Sequence, residues 1–169
     1  LDEIERAELH GATGMALERI HAEDPATVAV SLALHFTAAG DWARAIRYRL
    51  LAAESAARTF AHDQAVEHFE QVVVLQATHR RFIGAVMDVA TVQESLGDEL
   101  LMLRRWAAAD TSYRASFDLV AADRVARARR LLRTRGACRR NIGRAPRRIP
   151  ARRDGFPAWV YATLGRPVR

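Results

Sequence analysis

The chain has 169 residues, half of them apolar, and carries 26 basic against 20 acidic side chains for a formal charge of +6, enough to bury one ordinary core with a remainder that cannot pack. Every basic residue is Arg, which excludes a Walker-type phosphate loop, a Schiff-base lysine and a lysine general base. The lone Cys138 excludes an internal disulfide, and no apolar run nears the roughly 20 residues of a membrane helix, so a cytoplasmic setting without a membrane partner is expected.

Charge is divided unevenly. Up to Ala122 there are 11 Arg against 18 acidic residues; from Asp123 onward 15 Arg face only Asp123 and Asp154. Ala and Leu dominate, alternating β-branched runs are missing, and Gly and Pro crowd toward the C-terminal end, so the fold class is all-α over about the first three quarters. Leu1 in place of Met leads us to expect a fragment of a longer protein.

In chain order, residues 2 to about 21 form the first predicted helix, with Ile4, Leu9, Ala12, Ala16, Leu17 and Ile20 as apolar positions. Gly11 and Gly14 weaken its interior by roughly 1 kcal/mol each. Asp24-Pro25 predicts the next start, with Asp as cap and Pro in the first helical position. That helix runs to about Ala39, carrying Val28, Leu32, Phe36 and Ala39 on one side and Val30 and Leu34 on another, so more than one partner is expected to cover it. Gly40 can end it in the left-handed conformation and Asp41 can cap its successor. Trp42, Ala45, Ile46, Leu50, Ala53 and Ala57 then share one stripe, and after a break at Phe60-Ala61 the spacing repeats in Ala65, Val66, Phe69, Val72 and Val73. Helices joined this tightly double back as a hairpin.

Gln76 to Arg80 reads as a polar link. Phe82, Val86, Val89, Ala90, Gln93, Leu96, Leu100 and Leu103 trace one further helix, a turn follows near Arg104-Arg105, and Trp106, Ala109, Tyr113, Ser116, Phe117 and Val120 mark the helix after it. Residues 123–138 form a last, weak helix anchored by Val125, Ala128, Leu131 and Leu132. Residues 139–169 are an Arg-rich, Pro-containing tail without apolar period, expected to be mostly disordered, although Trp159, Val160, Tyr161 and Leu164 could dock on the body.

The block Gly40-Asp41-Trp42-Ala43-Arg44-Ala45-Ile46-Arg47-Tyr48 resembles the turn and second helix of a tetratricopeptide repeat, in which a small Ala packs at a helix crossing. Leu96-Gly97, Ala109 and Tyr113 keep the spacing of that family's Leu-Gly, Ala and aromatic positions. Gln93, Leu100, Arg104 and Ser116 depart from it, standing where the family favours Trp, Tyr, Gly and Ala. Within the chain, Trp42-Ala43-Arg44-Ala45 aligns with Trp106-Ala107-Ala108-Ala109 at a separation of 64, and Ala45-Ile46 with Ala65-Val66 at 20. Neither matches a period of about 34, which points to irregular hairpins stacked as a short solenoid.

Taken together, Leu9-His10, Ala16-Leu17-Glu18, Leu34-His35-Phe36-Thr37-Ala38-Ala39-Gly40-Asp41, Ala45-Ile46-Arg47-Tyr48 and Ala65-Val66-Glu67-His68-Phe69 resemble the helical region that follows the nucleotide-binding module in large bacterial signalling ATPases. These include maltose-activator-like and LuxR-type transcriptional regulators and ATPase-linked cyclases. The resemblance covers about residues 5–120. It implies a tetratricopeptide-like repeat domain over residues 1–122 that senses or holds a protein or small ligand, with the ATPase and output domains elsewhere in the parent. Trp42, Ala45, Ala65, Phe69, Leu96, Gly97, Trp106, Ala109 and Tyr113 are the helix-crossing packing positions. The ligand-binding residues stay unassigned.

Candidate chemistry is sparse. His62 and His68 stand six apart, on different helical faces, whereas metal ligands on one helix want three or four; with His10, His21, His35 and His79 they read as surface or cap residues. Asp98-Glu99 and Glu67-Glu70 read as solvated charge. His10-Gly11-Ala12-Thr13-Gly14 lacks the lysine and the preceding strand of a phosphate loop, and Ser31, Ser55, Ser95, Ser112 and Ser116 lie inside helices without a nucleophile elbow. No catalytic, cofactor or metal residue is expected, and the chain is not expected to be an enzyme. Two surfaces remain. The inner face of the stack suits an extended peptide, a helix or a neighbouring domain of the same parent; equally, a fragment of about three hairpins would expose such a face merely by being cut. The Arg tail suits phosphates of nucleic acid; equally, it has the texture of GC-rich DNA translated out of frame.

Overall fold

The computed structural model describes residues 2–83, 88–119 and 125–142, and among these every regular element is helical. Helix α1 spans Glu3–Ile20, a 3-10 turn at Pro25–Val28 leads into α2 (Ala29–Ala38), and α3 (Trp42–Arg58), α4 (His62–Thr78) and the short α5 (Arg80–Ile83) follow. Helices α6 (Val89–Met102), α7 (Trp106–Leu119) and α8 (Val125–Asn141) complete the described fold. None of the described helices is long and apolar enough to cross a membrane. The expected tail disorder and the docking of Trp159, Val160, Tyr161 and Leu164 fall outside the described residues, as do Val86, Val120 and the boundary at 122–123.

Three corners share one construction. At each, a residue with positive φ closes the preceding helix: Gly40 at +73°, Phe60 at +61° and Arg104 at +60°. The amide of the next residue reaches back to the carbonyl five before it, Asp41 to Phe36, Ala61 to Ala56 and Arg105 to Leu100, each at 2.9 Å. The positive-φ residue itself donates to the carbonyl three before it, Gly40 to Thr37, Phe60 to Ala57 and Arg104 to Leu101. This is the Schellman pair of bonds, which satisfies carbonyls that a helix end would otherwise orphan. A new helix then starts at once, on Trp42, His62 or Trp106, and its fourth residue is a fully buried alanine: Ala45, Ala65 and Ala109 each have 0% exposure.

The helices pack mainly on their neighbours in chain order, α1 on α2, α2 on α3, α3 on α4, α4 on α6, α6 on α7 and α7 on α8. The Trp42 ring at the start of α3 stacks on His79 at the end of α4, centroids 3.6 Å apart, so those two helices run antiparallel. Ser116 near the end of α7 donates to the Ala90 carbonyl at the start of α6 at 2.7 Å, which makes that pair antiparallel too. Leu32, Ala33, Phe36, Ala45 and Tyr48 form a small core between α2 and α3, while a larger one runs from Ile46 and Leu50 through Phe69, Leu96 and Tyr113 to Leu131 and Cys138. Gly14 and Gly97 mark the closest crossings: a Cβ on Gly14 would stand 3.0 Å from the Phe36 ring, and one on Gly97 2.8 Å from the Tyr113 ring.

Several expectations change. Asp24 makes no side-chain cap; the Thr27 hydroxyl instead bonds the Asp24 carbonyl, the first turn is 3-10, and α2 begins only at Ala29. Val30 and Leu34 are 44% and 56% exposed, so the second apolar side of α2 lies open. Gln76 does not open a link: α4 continues to Thr78 and Gln76 is buried. The stripe drawn from Phe82 to Leu103 is not one helix, because α6 starts afresh behind Asp88, whose carboxylate accepts from the Ala90 amide. Helix α8 reaches Asn141, three residues past Cys138. Leu131 and Cys138 are buried, and Arg135 pairs with Asp110 of α7 at 3.1 Å.

Candidate functional site

Ala45, Ala65 and Ala109 sit at the three corners, Phe69 and Leu96 are buried in the larger core, and Trp42 and Trp106 cover its edge half-buried. Gly97 and Tyr113 touch each other, the tyrosine ring lying where a side chain on Gly97 would be. Ser116, a departure from the tetratricopeptide pattern, uses its hydroxyl to pin α7 to α6, a bond alanine could not make.

Two open grooves flank the N-terminal helices. One, of about 700 Å³, has a floor of Ile4, Ala7, Gly11, Met15 and Phe36 and a rim that includes Glu3, Glu8 and Arg44. The other, of about 670 Å³, runs along α3 beside Pro25 and is lined by Ile46, Leu50 and Leu51 together with Arg47 and Glu54. Among the described residues, no group of three or more His, Cys, Asp or Glu side chains is placed to hold a metal ion.

Polar residues bolt neighbouring helices together. The Tyr48 hydroxyl on α3 donates to Glu18 on α1; burial, followed by the Glu18 charge, pushes this tyrosine up to about 12. Tyr113 on α7 donates to Asp98 on α6, and burial with that carboxylate raises it further above the ordinary tyrosine range. Glu99, next in sequence, turns instead to α4 and meets His62 Nδ1 at 2.7 Å. Both members of Asp98-Glu99 therefore make inter-helix contacts, Glu99 half-buried and Asp98 still exposed, because α6 lies between α4 and α7 and consecutive positions face different neighbours. Arg105 bonds Asp63 at 2.8 Å, tying the last corner to the start of α4. Asp110 holds Arg135 and Arg139 together, and burial raises the nearby Cys138 thiol to about 11.

Histidines carry more of the packing than their spacing suggests. His10 and His35 place their Nδ1 atoms 3.0 Å apart between α1 and α2, so one ring presents a bare nitrogen to the other's N–H. His21 and His79 occupy the C-terminal caps of α1 and α4. The sequence reading missed that His10–His35 pair, the corner at Phe60 as a copy of the one at Gly40, and a buried arginine, Arg49, whose Nε has no hydrogen-bond partner among the described residues. The corner at Phe60 had a signal, since Trp42 and His62 each stand three residues before an alanine.

No protein-family model, curated protein or solved structure matches this chain. Its role must therefore be argued from its own residues.

Proposed function

We propose that the chain is a protein-interaction and sensing scaffold without catalysis of its own. In this reading it is a tetratricopeptide-like stack of antiparallel hairpins that works as a segment of a larger bacterial signalling or transcription-regulating ATPase. The observation that carries the reading is the corner made three times, at Gly40, Phe60 and Arg104, each time followed by a buried alanine. A chain built this way grows by adding hairpins to its end, each helix burying its stripe on the one before, and its flanks stay available to partners. The two apolar grooves and the exposed Val30 and Leu34 supply such flanks. The scaffold would hold a protein or peptide, or a neighbouring domain of its parent.

The competing role is nucleic-acid binding through the Arg-rich C-terminal tail, residues 139–169, where nine Arg meet only Asp154. Capture of partners from a bacterial extract with residues 1–142 and with the full chain as baits, alongside anisotropy titrations of a mixed-sequence DNA duplex at two salt concentrations, separates the two. The scaffold reading expects the same protein partners for both baits. DNA binding that falls steeply with salt and disappears with residues 143–169, with no shared protein partner, would overturn it.

A further inference from the structure

Helix α1 leaves large apolar side chains in water. Ile4, Glu8, Gly11 and Met15, spaced by four, three and four, share one stripe of this helix, and all four line the groove of about 700 Å³. Ile4 is 71% and Met15 52% exposed, so the stripe is not used up by packing among the described residues. Apart from Phe36, the rest of the apolar lining is alanine, which leaves the volume to a bulky side chain. The charge of this groove is one-sided: Glu3, Glu8 and Asp41 line it with a single guanidinium, Arg44. That arginine is already engaged, pairing with Asp41 at 3.1 Å and Glu18 at 3.7 Å and lying over the Phe36 ring at 5.3 Å. The second groove has the opposite balance, with Arg44 and Arg47 against Glu54. An apolar, positively charged occupant is therefore matched to the groove on α1 and mismatched to the one on α3.

One segment of this chain has that chemistry. Residues 143–169, which follow α8 and lie outside the described residues, carry seven Arg against Asp154 alone. Phe156, Trp159, Val160 and Tyr161 form an apolar centre, with Arg152 and Arg153 before it and Arg166 and Arg169 after it. Its length permits the contact. Packed helix axes stand about 8–10 Å apart, so the path from α8 through α7, α6, α4, α3 and α2 to α1 covers no more than about 60 Å, even in a straight row. An extended chain from Ile142 to Trp159 reaches about as far, at roughly 3.3–3.6 Å per residue.

We propose that the groove on α1 is the docking site of the chain's own residues 152–169, the aromatic side chains resting on the stripe from Ile4 to Met15 and the flanking arginines meeting Glu3 and Glu8. Burial of Trp159 supplies the affinity. The carboxylates supply the choice of groove, since the same segment would meet like charge on α3. The groove on α3 and the flank at Val30 and Leu34 stay open to partners, so the scaffold reading neither requires this contact nor excludes it.

The test uses the full chain labelled with 5-fluorotryptophan, in which Trp42, Trp106 and Trp159 each give a 19F signal and Trp159→Phe assigns the last. A synthetic peptide of residues 143–169 supplies the position of the undocked ring. Docking predicts a Trp159 signal displaced from the peptide position, and added salt should move it back by screening the arginines from Glu3 and Glu8. The displacement should survive about tenfold dilution, because the contact lies within one molecule. Glu3→Gln combined with Glu8→Gln should reduce it by about twofold or more, and Met15→Gln should reduce it independently. These side chains are exposed, so helix content by circular dichroism should not change. Glu54→Gln, on the other groove, should leave the signal displaced. A wild-type signal at the peptide position, a displacement lost on dilution, one that persists in either groove variant, or one abolished by Glu54→Gln would overturn the proposal.

Discussion

The corner at residues 36–45 and the corner at residues 100–109 close with the same two backbone bonds and bury the same alanine, yet one places Gly40 in the left-handed region and the other Arg104. Glycine is the residue that adopts this conformation without penalty, and arginine bears a cost there of about 1–2 kcal/mol. The second corner forms regardless. What it has in place of glycine is a set of tertiary contacts: Arg105 bonded to Asp63, Leu100 and Leu101 in the larger core, and Gly97 pressed on Tyr113. The first corner leans on a smaller core and has its own cap, Asp41 accepting from the Arg44 amide at 3.0 Å. A corner can thus be specified locally, by glycine and a cap, or by what packs around it.

The largest expected effect comes from filling the crossing shared by both corners. Ala45→Leu and Ala109→Leu should each lower stability by about 1–3 kcal/mol through overpacking, measured by denaturant unfolding. Gly97→Ala belongs in the same range, since its Cβ would meet the Tyr113 ring at 2.8 Å. If both alanine substitutions were harmless, the crossings would not be the organising contacts. Gly40→Ala should cost about 1 kcal/mol from backbone strain alone, because nothing lies within 4 Å of the added Cβ. Arg104→Gly should do the reverse and stabilise by about 0.5 kcal/mol, the relief of strain partly offset by the freer unfolded chain. A loss of stability in Arg104→Gly would show that the arginine side chain itself holds the corner.

A pH titration of stability samples a region outside both corners. His68 has its folded affinity for protons lowered by burial, so the unfolded chain binds protons more readily. Its contribution is complete above the ordinary histidine value of about 6.5 and is lost as pH falls from there toward the folded value. His68→Gln should flatten that limb of the unfolding curve.

The same contrast explains how much of the structure was legible. Trp42, Ala45, Trp106 and Ala109 announced two corners because aromatic and small residues at fixed spacing follow directly from helix geometry. The corner at Phe60 carried no glycine signal, since its closing bonds are between backbone groups that every residue possesses. Gln76 looked like a link because it is polar, but a helix ends where its successor's packing requires, and here that is after Thr78. Val30 and Leu34 looked buried because they are apolar, and the pattern of one helix cannot tell whether a second neighbour exists. Arg49 was hidden by its charge, although the alanines around it had already marked its face as buried.

Native-state amide exchange at Asp41, Ala61 and Arg105 tests the repeated corner most directly. Each of these amides donates the same closing bond, to the carbonyl five residues before it, at 2.9 Å. Slowed exchange at all three, by factors approaching those of the neighbouring helix interiors, is the predicted result. Free-chain exchange rates at Ala61 or Arg105, with protection confined to Asp41, would contradict it.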